Sequence, residues 1–273
     1  RALERRRYGS ERKVTMLFFG AIFVLILGAV LGSFANVLII RMKEGKSIGG
    51  RSQCMTCMKK LRASELVPIA SWFMLHGRCR SCGKGIHWQY PVVESAMAVL
   101  SLVAFLRHVH DDTTWIMIAA VIGFEIALSF ILLVITAFDF RWKLIPVEFV
   151  ISSAIILAAW RLLIGANWIE LVLGAVVISA LLGMIVLLSR GTMMGEGDPF
   201  IGLLMGTVLG FPLALLGLLV SFIVGGSAAA ALLIEGSVTR KTEVPFVPFL
   251  AAGTLIALWW SEPLLIIARY AIG

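Results

Sequence analysis

Long apolar runs separated by short polar breaks leave this chain few ways to fold. A helix needs about 17–25 mostly apolar residues to cross a bilayer, and runs of that kind occur at 14–40, 91–106, 115–138, 145–163 and 168–188. Beyond residues 191–197 a further run extends from Phe200 to Ile234, interrupted by Gly210-Phe211-Pro212. Proline is costly inside a helix, so this run divides into a short helix at 200–209 and a longer one at 212–234. A last span covers 244–260, and an interfacial tail follows Glu262-Pro263. The 200–209 piece rises only about 15 Å against a hydrocarbon core of about 30 Å. It is therefore a half-span, shielded by other helices or lining a wet cavity. The chain is 60% apolar and 15% charged, whereas soluble domains carry about 25% charged residues. A soluble enzyme and a disordered chain are both excluded. The expected fold is an all-α polytopic membrane protein of about eight transmembrane helices, with the lipid bilayer as its first partner.

The formal net charge of +8 sits in loops, which reads as membrane topology and not as nucleic-acid binding. The insert at 41–89 carries ten Lys/Arg, and the loops expected on its side add Arg141, Lys143, Arg190, Arg240 and Lys241. The opposite loops carry His108, His110, Asp111 and Asp112. The insert side is therefore expected to be cytoplasmic. The N-terminal tail resists this scheme, because Arg5, Arg6, Arg7, Arg12 and Lys13 fall on the other side. The first apolar run is too long for a secretory h-region and lacks a small-residue cleavage site. Residue 1 is Arg, so the native start is expected further upstream. Four parts follow: a basic tail (1–13), a first helix (14–40), a cytoplasmic insert (41–89) and a helical domain (90–273).

All four cysteines lie in the insert, as Cys54-Met-Thr-Cys57 and, 21 residues on, Cys79-Arg-Ser-Cys82. Two C-x2-C pairs in one short loop match a four-thiolate zinc site with no open position, hence a structural one. The insert has few large apolar residues and needs such a staple. Two disulfides are the alternative, disfavoured in a reducing compartment; iron is the competing metal.

Acidic residues at the edges of spans are expensive and point to function. Asp139 closes the run ending Ala137-Phe138-Asp139, with Pro146 seven residues on, and Asp198 ends Gly195-Glu196-Gly197-Asp198 just before the half-span. Both are expected at the cytoplasmic rim. Two adjacent carboxylates share one proton, so one can activate water while the other polarises a peptide carbonyl. Gly195 and Gly197 would let a substrate backbone approach. Two plainer readings stand beside this one. Asp198 before Pro199 resembles a helix cap, and Asp139 is placed to pair with Arg141 or Lys143. Glu94, Glu125, Glu148 and Glu196 are further acidic candidates, with Glu125 expected either protonated or facing a polar cavity. The stripe Gly202, Gly206, Gly210 permits close helix contact and is expected to bring Asp198 against the helix that carries Asp139.

These residues resemble the bifunctional type IV prepilin peptidases, which are related to the Gly-x-Gly-Asp intramembrane aspartyl proteases. The resemblance is carried by Gly32-Ser33-Phe34-Ala35-Asn36-Val37, the four-cysteine segment, Tyr90-Pro91-Val92-Val93-Glu94, Asp139 with Pro146, Gly195-Glu196-Gly197-Asp198, and Val244-Pro245-Phe246-Val247-Pro248-Phe249-Leu250. It departs from the family pattern at Arg141, Val147 and Phe200, which bear on substrate contacts and not on the carboxylates. The resemblance implies Asp139 and Asp198 as catalytic, supported by Gly195, Gly197 and Pro146, and structural Zn2+ on Cys54, Cys57, Cys79 and Cys82. It implies type IV prepilins or pseudopilins as substrates, cut after Gly on the cytoplasmic side of a bacterial inner membrane. It also implies methylation of the new N-terminus from S-adenosylmethionine, with Gly77, Glu94 and Asn36 associated with that activity. A prepilin peptidase without methyl transfer, and a small ion-coupled transporter, are the alternatives.

Overall fold

The computed structural model describes the backbone of residues 2–109, 114–192, 194–236 and 245–272, with side chains at residue 15 and, within those spans, from 17 to 266. The side chains of Arg5, Arg6, Arg7, Arg12 and Lys13, and the whole of His110, Asp111, Asp112, Arg240, Lys241 and Val244, lie outside the described residues. The described chain is helical, with two isolated β-bridges and no strand. Every apolar run read from the sequence forms a helix. Five are long and apolar enough to cross a membrane: Leu17–Glu44, Gln89–His108, Trp115–Trp142, Trp168–Ser189 and Leu213–Ile234. The helices Val147–Leu163, Asp198–Leu209 and Val247–Trp259 have 17, 12 and 13 residues. At 1.5 Å per residue they rise about 26, 18 and 20 Å, short of the hydrocarbon thickness. The chain divides into two compact units, residues 1–134 and 135–273.

The first unit holds α1 (Ala2–Glu44), α2 (Ala70–Met74), α3 (Gln89–His108) and the first part of α4 (Trp115–Trp142). The helical backbone of α1 is continuous across residue 14. α3 packs along α1 because small residues line the seam. A Cβ at Gly28 would lie 2.7 Å from the Ala98 Cα, and one at Gly32 would lie 2.6 Å from the Glu94 Cα. Buried Asn36 ties the two helices together: its amide nitrogen donates to the Tyr90 carbonyl (3.2 Å) and its oxygen accepts from Gln89 Nε2 (3.2 Å). Glu125, expected protonated or facing a polar cavity, is instead an ion-pair partner. Arg107 Nη1 (2.9 Å) and His108 Nε2 (2.8 Å), from the last turn of α3, converge on its Oε1. A buried charge in an apolar bundle is tolerable only when paired.

The second unit holds the end of α4, α5 (Val147–Leu163), α6 (Trp168–Ser189), α7 (Asp198–Leu209), α8 (Leu213–Ile234), α9 (Val247–Trp259) and α10 (Ser261–Ile272). α7 is the expected half-span, and it packs against α5, α6, α8 and α9. Shielding of this kind is what a helix too short to reach both interfaces requires. The glycine stripe does its packing elsewhere than expected. A Cβ at Gly202 would lie 2.8 Å from Leu182 Cδ1, one at Gly206 would collide with the Gly174 backbone, and Gly210 faces Glu170. The stripe therefore seats α7 on α6, which offers its own glycine at 174, and not on α4. Gly210, at φ +74°, ends α7 in the left-handed region and turns the chain into α8.

Candidate active site and metal centre

Asp139 lies in the last turn of α4, and its carbonyl accepts the Lys143 N–H at 2.7 Å as the helix closes. Asp198 is the first residue of α7, with Gly197 in the cap position and Pro199 in the first turn. The cap alternative thus falls on Gly197. The Asp198 side chain reaches back instead, and its Oδ2 accepts the Gly195 N–H at 2.9 Å. Both carboxylates are buried, with exposures of 6% and 4%, although each sits at a helix end. The two lie within electrostatic reach of each other, since the charge of Asp139 is felt at Asp198. Asp139 accepts a hydrogen bond from the backbone N–H of Val247, the first residue of α9, and feels the charge of Lys143. Its Oδ2 has no hydrogen-bond partner among the described residues. An orphaned buried carboxylate oxygen is unusual, and here it belongs to a group within electrostatic reach of a second buried carboxylate.

The supporting residues are assembled locally. Pro146 caps α5, and the turn before it brings Ile145 against Gly197. A Cβ at Gly197 would lie 2.6 Å from Ile145 Cδ1, whereas at Gly195 the nearest atom is Asp198 Oδ2 at 3.5 Å. The close approach that Gly197 permits is thus to the α4–α5 turn, and it sets the first turn of α7 beside the end of α4. Glu148 and Glu196 are exposed, so water solvates them and neither competes with the buried pair. Sequence reasoning gave no role to the Val247 N–H. The prolines at 245 and 248 mark a helix start there, but a backbone donor leaves no trace in residue identity.

The insert builds the second site from two equivalent turns. Gln53 pairs with Lys60 and Arg78 with Gly85 in isolated antiparallel bridges. Within them the Cys54 N–H donates to the Lys59 carbonyl (3.0 Å) and the Cys79 N–H to the Lys84 carbonyl (2.8 Å). The residue after each second cysteine, Met58 or Gly83, takes a positive φ. The four sulfurs lie within 4.8 Å of one another, with Cys54 Sγ and Cys82 Sγ 3.9 Å apart, and all four cysteines are free. Tetrahedral metal–sulfur bonds of about 2.3 Å place sulfurs about 3.8 Å apart, so the cage fits a four-thiolate metal. Backbone N–H groups of Cys57 and Thr56 pull the Cys54 thiol down to about 6, whereas desolvation and the other three cysteines push Cys82 up to about 11, so four thiolates this close need a cation among them.

Asn36 and Glu94 both belong to the α1–α3 seam. Glu94 Oε2 accepts the Ile69 N–H at 2.6 Å and the carboxylate also bonds Ser33. Gly77 closes the turn after α2 at φ +64°, where a Cβ would lie 2.9 Å from the Trp72 ring. A residue with a side chain is disfavoured there on both counts.

Residues 26–108 match the model of the bacterial peptidase A24 N-terminal domain, and residues 126–230 match that of the type IV leader peptidase family. Among curated proteins, the chain is 29% identical to the prepilin leader peptidase/N-methyltransferase of Bacillus subtilis (strain 168), over 89% of this chain and 95% of that one. It is 28% identical to the protein of that name from Pseudomonas putida, over 87% of this chain and 89% of the relative. A stretch covering 33% of this chain and 28% of the Myxococcus xanthus (strain DK1622) protein is 39% identical. No solved structure gives a significant match. With both domain models matched in order, and relatives aligned along nearly its whole length, the chain belongs to the type IV leader peptidase family.

Proposed function

We propose that this protein is a membrane-embedded aspartyl endopeptidase that removes the leader of type IV prepilins or pseudopilins after Gly, on the cytoplasmic side of a bacterial inner membrane. In the same reading it methylates the new N-terminal amine. The observation that carries the peptidase reading is the buried pair Asp139 and Asp198, one of which acts electrostatically on the other.

The chemistry follows from two carboxylates that share a proton. The ionised member takes a proton from a water held between them, and the oxygen attacks the scissile carbonyl. The protonated member gives its proton to the carbonyl oxygen as the tetrahedral intermediate forms. Collapse re-forms the C=O and breaks the C–N bond: the second carboxylate takes back a proton from one hydroxyl of the intermediate, and the proton held by the first goes to the leaving amine. The Val247 N–H and the Gly195 N–H each hold one oxygen of the pair in place. Asp139 Oδ2 is left for the water.

In this reading the metal on Cys54, Cys57, Cys79 and Cys82 is zinc and purely structural, since four thiolates leave no open position. S-adenosylmethionine would supply the methyl group. The chain would contribute the folded insert, 41–89, against the α1–α3 seam with Asn36 and Glu94, while 90–273 contributes the peptidase. The ion-coupled transporter loses its main support, because Glu125 is already engaged by Arg107 and His108.

The test is co-expression with a prepilin followed by intact-mass analysis of the pilin. The expected product lacks the leader and carries one added methyl group on its first residue. A prepilin that keeps its full mass contradicts the proposal, and a cut but unmethylated terminus reduces it to the peptidase alone.

A further inference from the structure

Between Gly45 and Trp88 the chain carries eight Lys/Arg and one carboxylate, Glu65, yet the surface there is not simply polar. Leu66 and Val67 are 41% and 48% exposed, and Phe73 and Met74 are 62% and 77% exposed. These four side chains flank a strained turn. Ile69 has φ +63° and ψ −58°, and the Ala70 N–H closes onto the Pro68 carbonyl at 2.6 Å. This is a γ-turn of the rare hand, on a β-branched residue that avoids positive φ. Such strain persists only where the surroundings over-determine it. What holds it is the Glu94 carboxylate, which accepts the Ile69 N–H.

That bond also fixes depth. Glu94 lies five residues into the membrane-crossing helix α3, which starts at Gln89, so it sits about 7–8 Å along the axis from that start. Trp88 (64% exposed) and Tyr90 mark the entrance of the helix, and aromatic residues of this kind sit at headgroup level. The bond therefore draws Ile69, and the apolar side chains beside it, down from the insert to the level where α3 enters lipid. Interfacial segments bury their apolar face about 5–10 Å into the headgroup–acyl boundary. The surrounding charge suits the same surface: Lys59, Lys60 and Arg62 are exposed just before the segment, and cytoplasmic leaflets are anionic.

We propose that the segment Leu66–Met74, clamped to α3 by Glu94, docks in the bilayer interface and tethers the four-cysteine insert to the membrane surface. Phe73 and Met74 enter the acyl boundary, and the basic residues at 59–62 meet anionic headgroups. Glu94 acts as the anchor that sets the depth.

The test uses the full chain in nanodiscs containing an anionic phospholipid. A photoreactive phenylalanine analogue replaces Phe73, Met74 or, as the control, Lys84 at the exposed tip of the second cysteine turn. Irradiation is followed by intact-mass analysis. The expected result is an adduct heavier by one lipid at positions 73 and 74 and none at 84. Introducing E94A should lower the adduct at 73 to the level seen at 84 while the metal stays bound. Absence of lipid adducts at both 73 and 74, equal adducts at all three positions, or adducts to protein instead of lipid would overturn the proposal. Undiminished lipid adducts in E94A would overturn the role of Glu94 as anchor.

Discussion

Asp139→Asn and Asp198→Asn are each expected to abolish leader cleavage, with a loss of at least about 10²–10⁴-fold, the scale of general acid–base catalysis. Asn keeps the size of the side chain and its ability to accept a hydrogen bond. The Gly195 N–H can still donate to residue 198, and the Val247 N–H to residue 139. The variants should therefore fold and insert normally, and thermal unfolding in detergent checks this. What Asn cannot do is carry or exchange the shared proton, so neither variant keeps a base and an acid together. Because the pair acts as one unit, the double variant should be no worse than either single one. The readout is cleavage of a prepilin by purified protein, and the methylation of a pre-cleaved pilin should survive in both variants.

The second large effect is expected from Cys54→Ser. The insert is tied mainly by local turn bonds and buries almost no large side chain, so its fold depends on the metal. Structural zinc sites contribute about 10–16 kcal/mol to folding, more than a segment this small supplies by burial. Losing one thiolate is expected to release the metal, unfold residues 41–89 and remove methyl transfer. Cleavage should persist, because Asp139 and Asp198 belong to a separate compact unit. Metal analysis of the purified variant, together with separate cleavage and methylation assays, checks the three outcomes. A chelator strong enough to strip the cage should reproduce the variant, and acidification should weaken the metal because protons compete for the thiolates.

Parts of this molecule were legible in the sequence for different physical reasons. Helices are written in apolar run length, so the half-span before Gly210 and the break at Phe211-Pro212 could be placed from hydropathy and proline chemistry alone. The cage was legible because metal geometry constrains C-x2-C spacing locally, and the spacing at 54–57 and 79–82 closes into a fourfold sulfur cluster. Pairwise partners were less legible. Nothing in Gly202, Gly206 and Gly210 says which helix they meet, and the answer depends on Gly174, whose lack of a side chain matters only once α6 and α7 are side by side. Glu125 was expected protonated or facing a polar cavity because nothing beside it in the sequence names its partners, Arg107 and His108, which lie on the preceding helix. The Val247 N–H was invisible for a different reason: every residue but proline has one, so its role at Asp139 depends wholly on where α9 begins.

The central claim is that two neighbouring acids work on one water with one shared proton, and the pH dependence of kcat/KM tests it most directly. Purified protein would be assayed on a prepilin between pH 4 and 9. At the acid end both carboxylates are protonated and no base remains; at the alkaline end both are ionised and no acid remains. The expected profile is a bell, with the Asn variants inactive across the whole range. A rate unchanged across that range, or a single limb only, would contradict the shared proton.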